Sequence, residues 1–173
     1  MLSEKARTRA RSLGVVGAGF CIAFATATSA NAHVVYEDEE VWANTDSTKC
    51  MYTYSEVSHG GRGGFTKTQG HAGMNDSGIG GCIFPWQRPA GQIIVGYQYM
   101  KHDGSKWHVC RELMHGIYNT QTSGSLTVSY DFGVAPPCGG GYYGTKAGSG
   151  VYYGGSWYGK NVPVWSGQHY IEP

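Results

Sequence analysis

The chain has 173 residues, among them 28 Gly, 13 Tyr, 5 Trp and 5 Cys, and its 13 basic and 12 acidic side chains leave a formal charge of +1. The length fits one ordinary domain and excludes a multidomain enzyme, and the near-neutral charge gives no electrostatic reason for DNA, RNA or an anionic membrane as partner. The glycines follow no three-residue period, which excludes collagen, and a 40% hydrophobic content with plentiful aromatics excludes wholesale disorder.

Residues 1–32 read as a secretory signal. Lys5, Arg7, Arg9 and Arg11 form a basic n-region, and residues 13–27 are apolar apart from Gly and Thr26. That run is too short for a comfortable membrane span, and Ala30 and Ala32 supply the small residues that signal peptidase requires. Phe20 before Cys21 argues against a lipoprotein, so Cys21 leaves with the signal and no membrane attachment is expected after cleavage. The remaining 141 residues carry nine basic and eleven acidic side chains, a formal charge of −2.

Residues 33–49 come next, with four consecutive acids, Glu37 to Glu40, between the apolar pairs Val35-Tyr36 and Val41-Trp42. Like charges that close together favour an extended, solvated arm that docks into a partner's sheet or groove, while the apolar ends favour an ordinary edge strand. Both readings stay open. Residues 50–173 form the domain proper. Helical periodicity is absent, and period-two alternation with β-branched or aromatic clusters marks strands over residues 34–42, 50–57, 65–69, 92–101, 106–111, 125–132, 150–153 and 157–158. The clearest hairpin joins residues 93–101 to 106–110 through Asp103-Gly104, and a shorter echo runs through Gly154-Gly155-Ser156. The expected fold is all-β: a small disulfide-stapled β-sandwich or partly open barrel with Gly/Tyr-rich loops.

Four cysteines remain after cleavage, Cys50, Cys82, Cys110 and Cys138, an even number that predicts two disulfides in an oxidising compartment. No spacing suits a metal site. Of the three possible connectivities, a nested one is expected, Cys82 with Cys110 and Cys50 with Cys138, stapling the ends of the domain together.

From residue 134 to 167 the composition shifts to Gly, Tyr and Trp. These aromatics either replace an aliphatic core or form a surface for protein or sugar. Alternation predicts that one of each adjacent tyrosine pair turns inward and the other outward.

Catalytic signatures are missing. There is no GxSxG, GxxxxGK[ST] or HExxH, and the glycine run at 60–64 opens no helix. Glu56, Glu112 and Asp131 lie in or beside strands, and their convergence would suit a glycoside hydrolase. Cleavage after Ala32 would expose His33, whose α-amino group and imidazole chelate copper with one further imidazole from His59, His71, His102, His108, His115 or His169. In that one residue the chain resembles a lytic polysaccharide monooxygenase, which implies copper-dependent oxidation as an alternative.

Without a catalytic constellation, a secreted, non-catalytic binding module is the reading that remains, with no cofactor and no metal. Its expected partners are other secreted proteins, held by Val35, Tyr36, Val41 and Trp42 on the arm and by Tyr152, Trp157, Tyr158 and Trp165 on the aromatic lobe. A glycan or cell-wall binder is the alternative, with Trp157, Trp165, Tyr152 and Tyr158 as a sugar platform. In architecture the chain resembles the small secreted β proteins of filamentous actinobacteria, whose Gly/Tyr-rich, two-disulfide domains follow signals such as Arg7-Thr8-Arg9-Ala10-Arg11. Among these it resembles the adaptor subunit of umbrella-type polymorphic toxin particles, on the segment from His33 to Lys49 ahead of a cysteine-stapled domain. The resemblance implies an adaptor joining a lectin subunit to a repeat-containing toxin subunit, with the N-terminal segment docked into the repeats.

Overall fold

The computed structural model describes residues 34–45, 47–58, 65–74, 81–113, 115–133, 135–160 and 163–173. The signal peptide expected over 1–32, His33, His59 and the glycine run at 60–64 lie outside the described residues. Those that are described form a disulfide-stapled all-β sandwich of two antiparallel sheets that do not close into a barrel, and none of them is helical.

Five strands make one sheet. β1 (Val34–Trp42) pairs with β2 (Lys49–Ser58) through nine residues, and Asn44 closes their turn by accepting from the backbone N–H groups of Thr48 and Lys49. β3 (Phe65–Met74) pairs with β2 on one side and with β4 (Phe84–Pro85) and β8 (Ser125–Asp131) on the other. In the second sheet, of seven strands, β5 (Ile93–His102) lies between β9 (Gly141–Tyr153) and the pair β6 (Trp107–Glu112) and β7 (Ile117–Tyr118). The far edge of β9 is covered by β10 (Ser156–Tyr158), β11 (Val164–Trp165) and β12 (His169–Ile171).

Both predicted hairpins form. Asp103 accepts from the N–H groups of Ser105 and Lys106 while Gly104 takes φ 99°, and in the shorter turn Gly154 and Gly155 both take positive φ, 56° and 87°, which side chains resist. The two turns differ in length, because Tyr153 pairs with Ser156 but His102 with Trp107, so they are separate solutions rather than one repeated unit.

The core has two apolar clusters. At one end Met51, Ala72, Trp86, Ile93 and Val151 pack together, joined by Leu126, Tyr153 and Tyr158; at the other Val57, Tyr97, Tyr99, Tyr143 and Ile171 pack, joined by Val35, Val128, Tyr130 and Phe132. Tyr99 stacks on Phe132 at 4.3 Å and on Tyr143 at 4.8 Å, so tyrosine rings do the work of aliphatics there. Between the clusters runs a belt of buried hydroxyls that bonds sheet to sheet: Thr53 with Ser149, Thr66 with Thr145, and Ser55 to the Thr145 carbonyl at 2.9 Å. Each partner is satisfied by the other, which removes the desolvation penalty of a buried polar group.

The expected cysteine pairing is corrected. Cys50 bonds Cys82 and Cys110 bonds Cys138, with Cα separations of 5.9 and 6.0 Å, so each bridge is local to one sheet. Nesting fails because Cys50 sits on the five-stranded sheet and Cys110 on the seven-stranded one. The first bridge crosses β3 at Gly73, where a Cβ would meet the Cys82 backbone at 3.0 Å. The second starts at a bulge in β6, where the register jumps from Val109 to Arg111 and leaves Cys110 unpaired.

Candidate binding surfaces

Among the described residues β1 has a strand on one side only, and its acids Glu37, Asp38, Glu39 and Glu40 are all exposed. The segment is therefore a paired edge strand here, not a free arm. Val35 turns inward onto the second cluster, which puts Glu37 and Glu39 on the same side. Charges on the inward side of an edge strand discourage unspecific sheet extension. Tyr36 faces outward, is 56% exposed and lies tilted against Tyr54 at 5.4 Å, while Val41 and Trp42 are half-buried at the end of the strand.

The outer face of β1 and β2 is internally matched. Burial, together with the Asp38 carboxylate that accepts its hydroxyl, pushes the Tyr52 phenol above the ordinary tyrosine value; burial and a hydrogen bond to Glu56 do the same for Tyr54. Glu40 accepts from the Cys82 N–H at 2.7 Å and so ties β1 to the first disulfide.

On the opposite side of the molecule, the outer face of β5 and β9 has aromatics at both ends. Trp107 meets Trp165 edge-on at 4.7 Å at one end, and Trp157 meets Tyr118 at 5.9 Å and Tyr152 at 5.5 Å at the other. Between them Gly96 pairs with Gly148, followed by the polar pair Gln98 and Lys146; the Leu113 carbonyl lies over Gly96, and Gly148 is bare backbone. Leu113 and Gly116 border this floor on one side and Lys160 and Pro163 on the other, enclosing a cleft of about 270 Å³.

The eight residues predicted to bind a partner do not form one patch. Val35, Tyr36, Val41 and Trp42 belong to the five-stranded sheet; Tyr152, Trp157 and Trp165 project from the far face of the other; and Tyr158 turns inward onto the first cluster. Adjacent tyrosines do divide as alternation requires: Tyr143 is fully buried, and Tyr142 is 48% exposed against Tyr170. The glycine floor was missed, although the alternation Tyr143, Thr145, Ala147, Ser149, Val151 against Gly144, Gly148 and Gly150 carries its signal.

The hydrolytic expectation is corrected, because its carboxylates do not converge. Glu56 is on the outer face of the five-stranded sheet, whereas Glu112 accepts from Gln98 at 3.3 Å on the outer face of the other, and Asp131 caps the Gly133 N–H at the end of β8. Of the histidines weighed as copper ligands, His108 pairs with Asp103 and His102 accepts from the Gly104 N–H; no group of three metal-ligating side chains occurs among the described residues. Nor is any helix among them long and apolar enough to cross a membrane. The two disulfides are compatible with an extracellular protein. No protein-family model, no curated protein and no solved structure matches the chain.

Proposed function

We propose that this is a secreted, non-catalytic binding module, delivered by the signal at residues 1–32, that acts as an adaptor holding a partner protein inside a secreted complex such as a toxin particle. The observation that carries the reading is β1, a nine-residue strand with four exposed acids and one edge that no described strand pairs. An unpaired edge offers main-chain hydrogen bonds to an added strand, and the acids choose a basic partner and speed its approach.

The test is charge reversal at Glu37 and Glu39, which are exposed and whose change leaves the core intact. Wild-type protein purified natively from culture supernatant is expected to bring a stoichiometric second chain, identified by mass spectrometry, and the Glu37→Lys, Glu39→Lys protein to lose it at unchanged melting temperature. A partner retained by the variant, or a wild-type protein that elutes alone, overturns the proposal.

A further inference from the structure

We infer that the cleft over Gly148 is a second binding site, for an acidic sugar residue within an oligosaccharide. It lies on the opposite sheet from β1, so it stands or falls independently of the adaptor role.

Three observations lead there. The first is charge: Lys146 and Lys160 both line the cleft, neither has a carboxylate partner among the described residues, and none of the described lining residues is acidic. Glu112, close by, is engaged by Gln98. The Lys160 ammonium lies 5.7 Å over the Trp157 ring at one end of the cleft, and together with Lys146 and the apolar lining of Ile94, Leu113 and Pro163 it suits a ligand with a carboxylate on one side and C–H faces on the other.

The second is the floor. A Cβ built on Gly148 meets only the Lys160 carbonyl oxygen, at 3.8 Å, so a flat ring can approach the backbone itself. Gly144 differs, since the Trp165 indole already covers it, and Gly150 carries the Lys160 stem. Gly96 is covered as well, its Cβ position lying 2.7 Å from the Leu113 carbonyl oxygen, so the open space is confined to Gly148. Its volume of about 270 Å³ falls just below the roughly 300–1,000 Å³ of sites for drug-sized molecules, a size for one ring whose neighbours continue along the face.

The third is what the floor withholds. β5 and β9 pair with each other over ten residues, and on its other side β9 is paired at residues 141–143, 146–147 and 151–153. An extended peptide would find a strand edge only over the three residues 148–150. A saccharide needs none, because it binds through hydroxyls, a carboxylate and ring faces. The aromatic groups at the two ends, Trp107 with Trp165 and Trp157 with Tyr118, lie where flanking sugars would stack.

The experiment is calorimetric titration of the purified protein with tetragalacturonate and with a hyaluronan tetrasaccharide, beside cellotetraose and tetraglutamate as neutral-sugar and acidic-peptide controls. At least one acidic sugar is expected to bind saturably, more weakly as salt rises. Lys146→Gln and Lys160→Gln should each reduce affinity about fivefold, the loss of one exposed charge pair. Gly148→Val should abolish binding with its melting temperature unchanged. Equal binding of cellotetraose would overturn the charge argument and equal binding of tetraglutamate the sugar argument. Failure of both acidic sugars to bind, or binding that survives Gly148→Val, would overturn the site.

Discussion

On the five-stranded sheet the outer face sets phenols against carboxylates, Tyr52 with Asp38 and Tyr54 with Glu56, whereas the outer face of the seven-stranded sheet sets lysines beside bare glycine backbone. The first face answers its own charges, and what it leaves unanswered is its edge, β1. The second is closed at its central strands and open in the middle of its surface. Glycine marks the difference: at Gly73 the missing side chain makes room for a disulfide, and at Gly148 it leaves a hollow that no described side chain fills. Two sheets of one sandwich thus present different kinds of surface, one suited to another strand and one to a ring.

The contrast is sharpest in a pair of identical substitutions. Gly73→Val places a side chain against the backbone of Cys82 and Phe84 at 3.0 to 3.1 Å, and is expected to destabilise by about 1–3 kcal/mol, or more if the bridge is displaced, in urea denaturation. Gly148→Val enters open space and should change stability by less than about 0.5 kcal/mol. Equal effects would break the distinction between the two faces.

Next in size is the belt that joins the sheets. Thr145→Val removes a hydroxyl and leaves that of Thr66 buried with only a 3.3 Å bond to the Glu56 carbonyl, a cost of about 1–2 kcal/mol. Adding Thr66→Val should recover much of that loss, as read by a double-mutant cycle. Strict additivity would mean that the two hydroxyls do not act as a pair.

The smallest effect is a titration. Tyr52, Tyr54, Tyr99 and Tyr143 all have phenols raised above their ordinary value, chiefly by burial. A group whose pKa is raised by folding contributes stability that is fully present below its unfolded pKa, near 10, and is lost as pH rises through the folded value. Stability should therefore fall above pH 10, and Tyr52→Phe with Tyr54→Phe should flatten part of that slope by removing the acid-facing phenols. A slope unchanged in the double variant would place the whole effect on the buried rings.

Much of the fold is legible in the residues. β1 and the hairpin at Asp103-Gly104 declare themselves through alternation and turn chemistry, which are local signals. β9 does not: it begins at Gly141 rather than near residue 150, because its outward positions are glycines, which read as loop. Gly144 and Gly150 are covered by Trp165 and Lys160, which lie across the strand, a tertiary fact. The two-residue strands β4, β7 and β11 are too short for any period to register, and the cysteine pairing depends on which sheet each strand joins. Of the candidate sites, the acidic strand is visible in a run of four acids, while the cleft needs β5 and β9 side by side before Gly96 meets Gly148.

The hydroxyl belt also divides the molecule lengthwise. Each end has its own apolar cluster and its own bridge, Cys50–Cys82 beside Met51 and Trp86, Cys110–Cys138 beside Tyr99 and Tyr143. Separate clusters with separate staples favour cooperative units that open one at a time. A reductant or a protease that gains one end is then expected to leave the other folded, although β2, β5 and β9 run through both.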